Sequence, residues 1–405
     1  MITLGIETSC DESALALLET KESGVTLEYR VIGSLIHSQA ELHSQFGGVF
    51  PSLAKREHGK NLIPLLRKLL ADARPYIDGN QSLISENEFE RKINEIKLKF
   101  GPKNSDLVDS LTDINFLRFI PKIDRIAVTE GPGLEPALWV GISFGEILSE
   151  LWSIAIIPVN HMEGHVIGSL LNNEIENKDW SQLKVIEYPA VALLISGGHT
   201  ELVEINKQSE TTAFPLKYKI IGQTRDDAVG EAFDKVARLL ELPYPGGPHI
   251  SKLAEQAERE GIQYVSQLPR PMLKSDDLDF SFSGLKTAVL YAIRDEKNLT
   301  GIIGDEFKKS IALEFELCVD EVLSKKLRKA IDKVGAKTII AGGGVVANNR
   351  LRRSFENISR EYGLPLYLPS RHVSGDNALM IALVGAIDDR KYSEQLKADG
   401  TKRLN

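Results

Sequence analysis

Ile2-Thr3-Leu4-Gly5-Ile6-Glu7-Thr8-Ser9-Cys10-Asp11-Glu12-Ser13-Ala14-Leu15-Ala16-Leu17-Leu18 opens the chain. Residues 2–6 and 14–18 are apolar runs that read as strands, and the polar residues between them read as a turn. The pattern returns in the second half. Residues 190–195 form a strand, Ser196-Gly197-Gly198-His199-Thr200 the turn, and residues 201–205 the return strand. Two such units in 405 residues suggest a duplicated α/β architecture of two lobes, each offering a turn to one shared cleft. The first tip, with its hydroxyls, backbone N–H groups and two adjacent acids, suits a phosphate or a metal attached to one; a plain surface turn reads equally well. In the second, glycines let a ligand phosphate approach the backbone.

The composition, 42% hydrophobic and 26% charged, is that of a globular enzyme. No apolar run approaches a membrane span, and no basic segment precedes an apolar one at the start, so neither a membrane partner nor a secretory signal is expected. Cys10 and Cys318 are the only cysteines, which excludes a disulfide framework and fits a reducing, cytoplasmic location. A net charge of −8 argues against indiscriminate nucleic-acid binding and leaves room for a local basic patch.

His161-Met162-Glu163-Gly164-His165 follows a buried strand over 153–159. Imidazoles four residues apart share a helix face, about one turn from each other, and can reach a single divalent metal; ordinary helix-face histidines have the same spacing. The place, at a strand's C-terminal end, is where open α/β proteins bind ligands. The zinc-protease motif needs Glu directly after the first His, and here Met162 stands there. A third ligand must come from elsewhere. Asp376, in Ser374-Gly375-Asp376-Asn377, sits where the N-cap of a helix over 378–387 would sit, and it is also a carboxylate on a strand-to-helix turn. If that helix crosses the one carrying Gly141 and Gly145 at the lobe boundary, Asp376 and the histidine pair can meet.

Elsewhere, residues 37–58, with His37, His43 and His58, read as a loop before an amphipathic helix over 57–73. Residues 75–121 read as a surface insertion in which Ser85 and Glu88 make a capping box and Phe89, Ile93, Ile96 and Phe100 one helix face. Residues 172–186 serve as a linker. Residues 243–249 read as a loop because of their proline and glycine content. Residues 305–333 form one or two helices whose Lys325, Lys326, Arg328 and Lys329 read as a solvated face. Gly342-Gly343-Gly344 leads a strand towards a helix: a nucleotide site without the dinucleotide or P-loop fingerprint, or merely a tight turn.

Taken together, residues 5–13, 37–58, 127–138, 160–165, 194–200, 227–235, 244–248, 280–286, 342–352 and 376–382 resemble, in order, the motifs of the tRNA N6-threonylcarbamoyladenosine (t6A) transferases of the bacterial TsaD type and their relatives, once labelled O-sialoglycoprotein endopeptidases. The resemblance implies an ASKHA fold, the actin-like, sugar-kinase-like pair of lobes, here residues 1–187 and 188–383 with residues from about 384 to 405 packing back on the first. It implies one divalent metal per subunit, Fe2+ or Zn2+ with Mg2+ a third choice, on His161, His165 and Asp376. It implies that Leu194, Ile195, Ser196, Gly197, Gly198, Asp234, Gly247 and Asn348 line the site of the donor, threonylcarbamoyl-AMP. Asp11 and Glu12 then fall near the reacting groups as the catalytic acids. The acceptor is N6 of adenosine 37 in the anticodon loop of tRNAs reading ANN codons, and bacterial relatives work with a TsaB-like paralogue and a TsaE-like ATPase. Departures from the usual pattern are Pro136, Ser374-Gly375 and Phe50; none removes a proposed ligand. The rival readings are a metal-dependent glycoprotein endopeptidase, an ATP-binding kinase or chaperone of the same fold, and a non-catalytic scaffold.

Overall fold

The computed structural model describes residues 1–23, 26–78, 82–172, 179–208, 214, 216–263, 267–388 and 396–404. Parts of the expected insertion, linker and C-terminal segment, at 79–81, 173–178, 389–395 and 405, lie outside them.

The first half builds a sheet from β1 (Ile2–Glu7), β2 (Glu12–Ser23), β3 (Thr26–Ser38), β4 (Arg125–Gly131) and β5 (Ala155–Asn160), in the order β3-β2-β1-β4-β5. The second half builds one from β6 (Ala190–Ile195), β7 (Thr200–Lys207), β8 (Leu216–Gln223), β9 (Thr338–Gly342) and β10 (Leu366–Tyr367), in the order β8-β7-β6-β9-β10. Each has an antiparallel meander and two parallel strands, so order and direction agree over these five strands; the first sheet carries one further edge strand, Ser181–Gln182, antiparallel to β3. The duplicated pattern in the sequence is a duplicated topology.

Side-chain alternation along the strands decides the layers. Ile2, Leu4, Ile6, Leu15 and Leu17 face a core shared with α1 (Pro51–Ile77) and α3 (Glu135–Trp152); α2 (Glu86–Phe100), in the insertion, adds Phe89, Ile93, Ile96 and Phe100. Ser85 accepts the Glu88 N–H, as the capping box predicts. On the second sheet Val191, Leu193 and Ile195 face a core formed with α5 (Val229–Leu239), α6 (Gly246–Glu260), α7 (Ser283–Thr300), α8 (Asp305–Val334) and α9 (Asn349–Tyr362). The inner faces, with Ala14, Ala16, Ala190, Ala192 and Leu194, enclose two helices, α4 (His161–Gly168) and α10 (Ala378–Ile387). A Cβ on Gly5 would stand 2.2 Å from the Ala378 carbonyl oxygen, so α10 lies directly on the first sheet and joins it from Ala378, earlier than the return near 384.

Four sequence expectations need correction. The helix that crosses α10 is α4, whose Gly164 meets Ile381 and Met380; α3, with Gly141 and Gly145, packs on the opposite face of the first sheet. Helix α1 starts at Pro51 within the expected loop, because proline is pre-organised for a first helical turn. Residues 246–249 are likewise the first turn of α6, entered from Pro245. Lys326 is buried rather than solvated; its ammonium donates to Ser275 Oγ and the Asp277 carbonyl. Among the described residues, no helix is long and apolar enough to cross a membrane.

Candidate metal centre and cleft

The histidine pair starts α4 where β5 ends, and the Asn160 side chain caps that helix by accepting from Met162 and Glu163 N–H. Both imidazoles are buried. Each Nε2 lies 3.3 Å from Asp376 Oδ1, and the three ligand atoms fall within 4.8 Å of one another. Asp376 is free for this because it does not cap α10: Asn377 does, accepting the Met380 N–H at 3.1 Å. His165 Nε2 is buried without a hydrogen bond, although Asp376 Oδ1 is near. An orphaned imidazole nitrogen beside a second imidazole and a carboxylate is a donor set that a borderline divalent cation satisfies.

Glu7, fully buried at the end of β1, completes the cluster. Its Oε2 lies 3.0 Å from His161 Nδ1 and accepts the Thr129 hydroxyl at 2.6 Å. A carboxylate on the far imidazole nitrogen fixes the ring's orientation and turns Nε2 towards a metal. Burial opposes charge on all four groups. Against it, Asp376 and Glu7 raise His161 well above its ordinary value, and His161 holds Asp376 well below and Glu7 below theirs. His165 is lowered by burial. Sequence reasoning placed Glu7 in the turn and missed its role. Strand alternation puts Thr3, Gly5 and Glu7 on one face, but only the packing shows that α10 covers that face.

The cluster borders a cleft of about 720 Å³ between the lobes. His161, Asp376, Asp11 and Glu12 line it from one side of the chain's fold, and Ser196, Gly197, Gly198, Asp234, Gly247 and Asn348 from the other. Leu194 and Ile195 are fully buried in β6, on its opposite faces, behind the turn that meets the cleft. A Cβ on Gly197, Gly198 or Gly247 would meet nothing within 4 Å, so those backbones are open to a ligand. Asp234 accepts the Gly246 N–H at 2.7 Å, and burial, with Asp11 adding to it, pushes its carboxyl up to about 6. Asn348 caps α9 through Leu351 N–H and donates to Ser251 Oγ and Glu316 Oε1, so its amide is held by protein. Glu12 is raised well above the carboxylate range by burial, then by Asp11 and Asp376. Tyr244, also missed, spans the cleft: its hydroxyl donates to Asp11 Oδ2 at 3.5 Å. The last described residues close the wall, Gly133 N–H donating to the Gly400 carbonyl and Asp399 N–H to that of Glu130.

Two lobes of identical strand order, with helices α4 and α10 between them and a cleft at the strands' C-terminal ends, define the class as a two-lobed ASKHA-fold enzyme. The comparisons narrow it. A family model described as "TsaD: tRNA N6-adenosine threonylcarbamoyltransferase" matches residues 30–78 and 113–383 and skips much of the insertion. A protein of that name from Polynucleobacter asymbioticus is 39% identical over 394 residues, covering 96% of this chain and 92% of the relative. Others of that name, from Chromobacterium violaceum and Nitrosomonas europaea, are 36% and 34% identical, covering 96% and 99% of this chain and 93% and 96% of their own length. The chain belongs to the tRNA N6-adenosine threonylcarbamoyltransferase family.

Proposed function

We propose that the cleft is the active centre of a t6A-forming transferase with threonylcarbamoyl-AMP as donor and N6 of adenosine 37 in ANN-reading tRNAs as acceptor. His161, His165 and Asp376 hold one divalent cation, iron(II) or zinc. Ser196, Gly197, Gly198, Asp234 and Gly247 receive the donor's nucleotide end, with Leu194 and Ile195 as the strand that carries this turn and Asn348, the cap of α9, completing the same wall. Residues 1–187 and 188–383 act as the two lobes, the helix from Ala378 lying between them. TsaB-like and TsaE-like proteins serve as partners in the cytoplasm.

In the reaction, N6 forms a bond to the carbamoyl carbon, the bond from that carbon to the phosphate oxygen breaks, AMP leaves and one N6 proton is released. The exocyclic amine is a poor nucleophile, because its lone pair is delocalised into the ring, so the site must act by positioning and by meeting developing charge. The cation supplies Lewis acidity. Asp11 or Glu12, which border the cleft beside the metal cluster, takes the proton. The target base leaves the anticodon stack to enter the cleft.

The observation that carries this reading is the convergence of His161, His165 and Asp376 on one point at the edge of a cleft large enough for a nucleotide. For an endopeptidase the motif's acid would have to serve as base, but Glu163 is buried and accepts the Tyr218 hydroxyl at 3.2 Å. Reconstitution with threonylcarbamoyl-AMP and an unmodified ANN-reading tRNA, read by mass spectrometry of the nucleosides, is expected to yield t6A, and His165→Ala is expected to abolish it. Equal t6A formation by the variant would refute the role of the cluster.

A further inference from the structure

Asn349, beside the cap of α9, lines the cleft and also a second cavity, a groove of about 630 Å³ bordered by Arg352, Arg353 and Arg371. Most arginines in the second lobe are neutralised: Arg350 by Glu316 and Glu258, Arg270 by Glu314 and Glu321, Arg225 by Asp277 and Asp279. Arg352, Arg353 and Arg371 are not, whereas the groove's fourth arginine, Arg259, pairs with Glu255. Among the described residues, none of the former three has a carboxylate within ion-pair distance. Of the groove's own acids, Glu255 is held within it by Asn349 Nδ2 and Arg259 and Glu258 is held by Arg350; Glu356 acts on Arg352 only through space.

Arg352 is the most exacting of the three. One Nη2 donates to the Pro369 carbonyl, while Nε is buried and unpartnered. Burial, and then the charge of Arg371, push its guanidinium below its ordinary value. Arg371 donates to Asn349 Oδ1, which ties the groove to the cleft wall. A half-buried guanidinium facing a like charge, with an unsatisfied N–H, is costly unless an anion meets it. The guanidinium fork matches a phosphate in geometry and charge.

We propose that this groove is an anion site for a backbone phosphate of the RNA whose adenosine enters the cleft. The proposal rests on the transferase reading above. A phosphodiester is favoured over a free nucleotide for two reasons. Arg353 and Arg371 are exposed, so the site is open to a long chain. The groove also continues into the cleft at Asn349, so one strand can occupy both. A chain of net charge −8 needs such a local cluster to hold a polyanion.

The test measures binding of unmodified tRNA to the full-length chain across a KCl series for wild type, Arg352→Gln, Arg352→Lys, Arg353→Gln, Arg371→Gln and the exposed control Arg294→Gln. The double variant Arg352→Gln/Arg371→Gln is expected to weaken tRNA binding about tenfold or more and to lower the slope of log K against log salt by about one per lost contact. Arg352→Lys recovers part of that loss, Arg294→Gln changes nothing, and AMP binding stays at the wild-type value throughout. Unchanged tRNA affinity and slope in the two exposed-site variants, absence of salt-dependent binding by the wild type, or parallel loss of AMP binding overturns the proposal; the last outcome assigns the arginines to the donor nucleotide. A parallel t6A assay separates the readings. No t6A from the wild type refutes the transferase reading, whereas t6A with an unchanged KM for tRNA in Arg371→Gln refutes the groove alone.

Discussion

The turns at 8–11 and 196–199 occupy equivalent places in two sheets of the same topology, yet their surroundings are opposite in kind. Behind the first lies a buried polar lattice. His58 Nε2 donates to the Cys10 carbonyl at 3.0 Å, Ser13 Oγ donates to His58 Nδ1 at 2.7 Å, and Gln39 N–H donates to the Asp11 carbonyl at 2.9 Å. The turn that presents Asp11 and Glu12 is thereby fixed from several sides. Around the second, Gly197 and Gly198 have open space where side chains would be. The same scaffold occurs twice; one copy holds charged groups still, and the other leaves its backbone in open space, the division that the proposed function uses.

That contrast can be broken by experiment. The largest effect is expected from Asp376→Ala. Because Asn377 caps α10, the variant should fold normally while losing bound metal, as read by elemental analysis, and kcat/KM for t6A formation should fall by about a thousandfold, roughly 4 kcal/mol of transition-state stabilisation. A matching loss of thermal stability would mean that the carboxylate is structural.

Next comes the lattice. Burial lowers His58 from 6.5 to about 4 in the fold. Above pH 6.5 neither folded nor unfolded chain protonates it; between there and about 4 the unfolded chain takes up the proton first. Its contribution to stability is therefore fully present above 6.5 and declines by about 3 kcal/mol as pH falls through that window. Urea denaturation at several pH values should show a shallower acid slope for His58→Gln than for wild type, and parallel slopes would count against a buried neutral imidazole. Glu7→Gln should follow, with a 10- to 100-fold weaker metal affinity, about 2 kcal/mol, and intact secondary structure.

Smallest, and sharpest as a comparison, is a pair of glycine substitutions. Gly5→Ala places its Cβ against the Ala378 carbonyl and should destabilise by about 2 kcal/mol. Gly198→Ala meets nothing and should change stability by less than about 0.5 kcal/mol, while raising the KM for the donor. Equal destabilisation by both would erase the proposed division of labour between the two turns.

Much of this was legible in the chain itself. Hydrophobic period and turn chemistry are local, so the repeated strand–turn–strand unit, the insertion's capped helix and the one-turn spacing of His161 and His165 followed from neighbouring residues alone. Asp376 was visible as a carboxylate on a strand-to-helix turn, and the resemblance in motif order assigned it as the third ligand. What stayed hidden was non-local. Reading 246–249 as a loop failed because proline and glycine also suit a first helical turn, and only the packing of α6 against α5 and α8 selects the helix.

The sequence by itself determined the two strand–turn–strand units and a pair of imidazoles on one helical face, because each depends on contacts between near neighbours in the chain, whereas the sheets close by pairing distant segments, β1 with β4 and β6 with β9. Only the tertiary structure decided that α4, not α3, meets α10, that Asn377 takes the cap and releases Asp376, and that Glu7 stands behind His161. Those outcomes depend on which face of a strand a distant helix covers. That choice is made by close packing between segments far apart in the chain, and no local pattern encodes it.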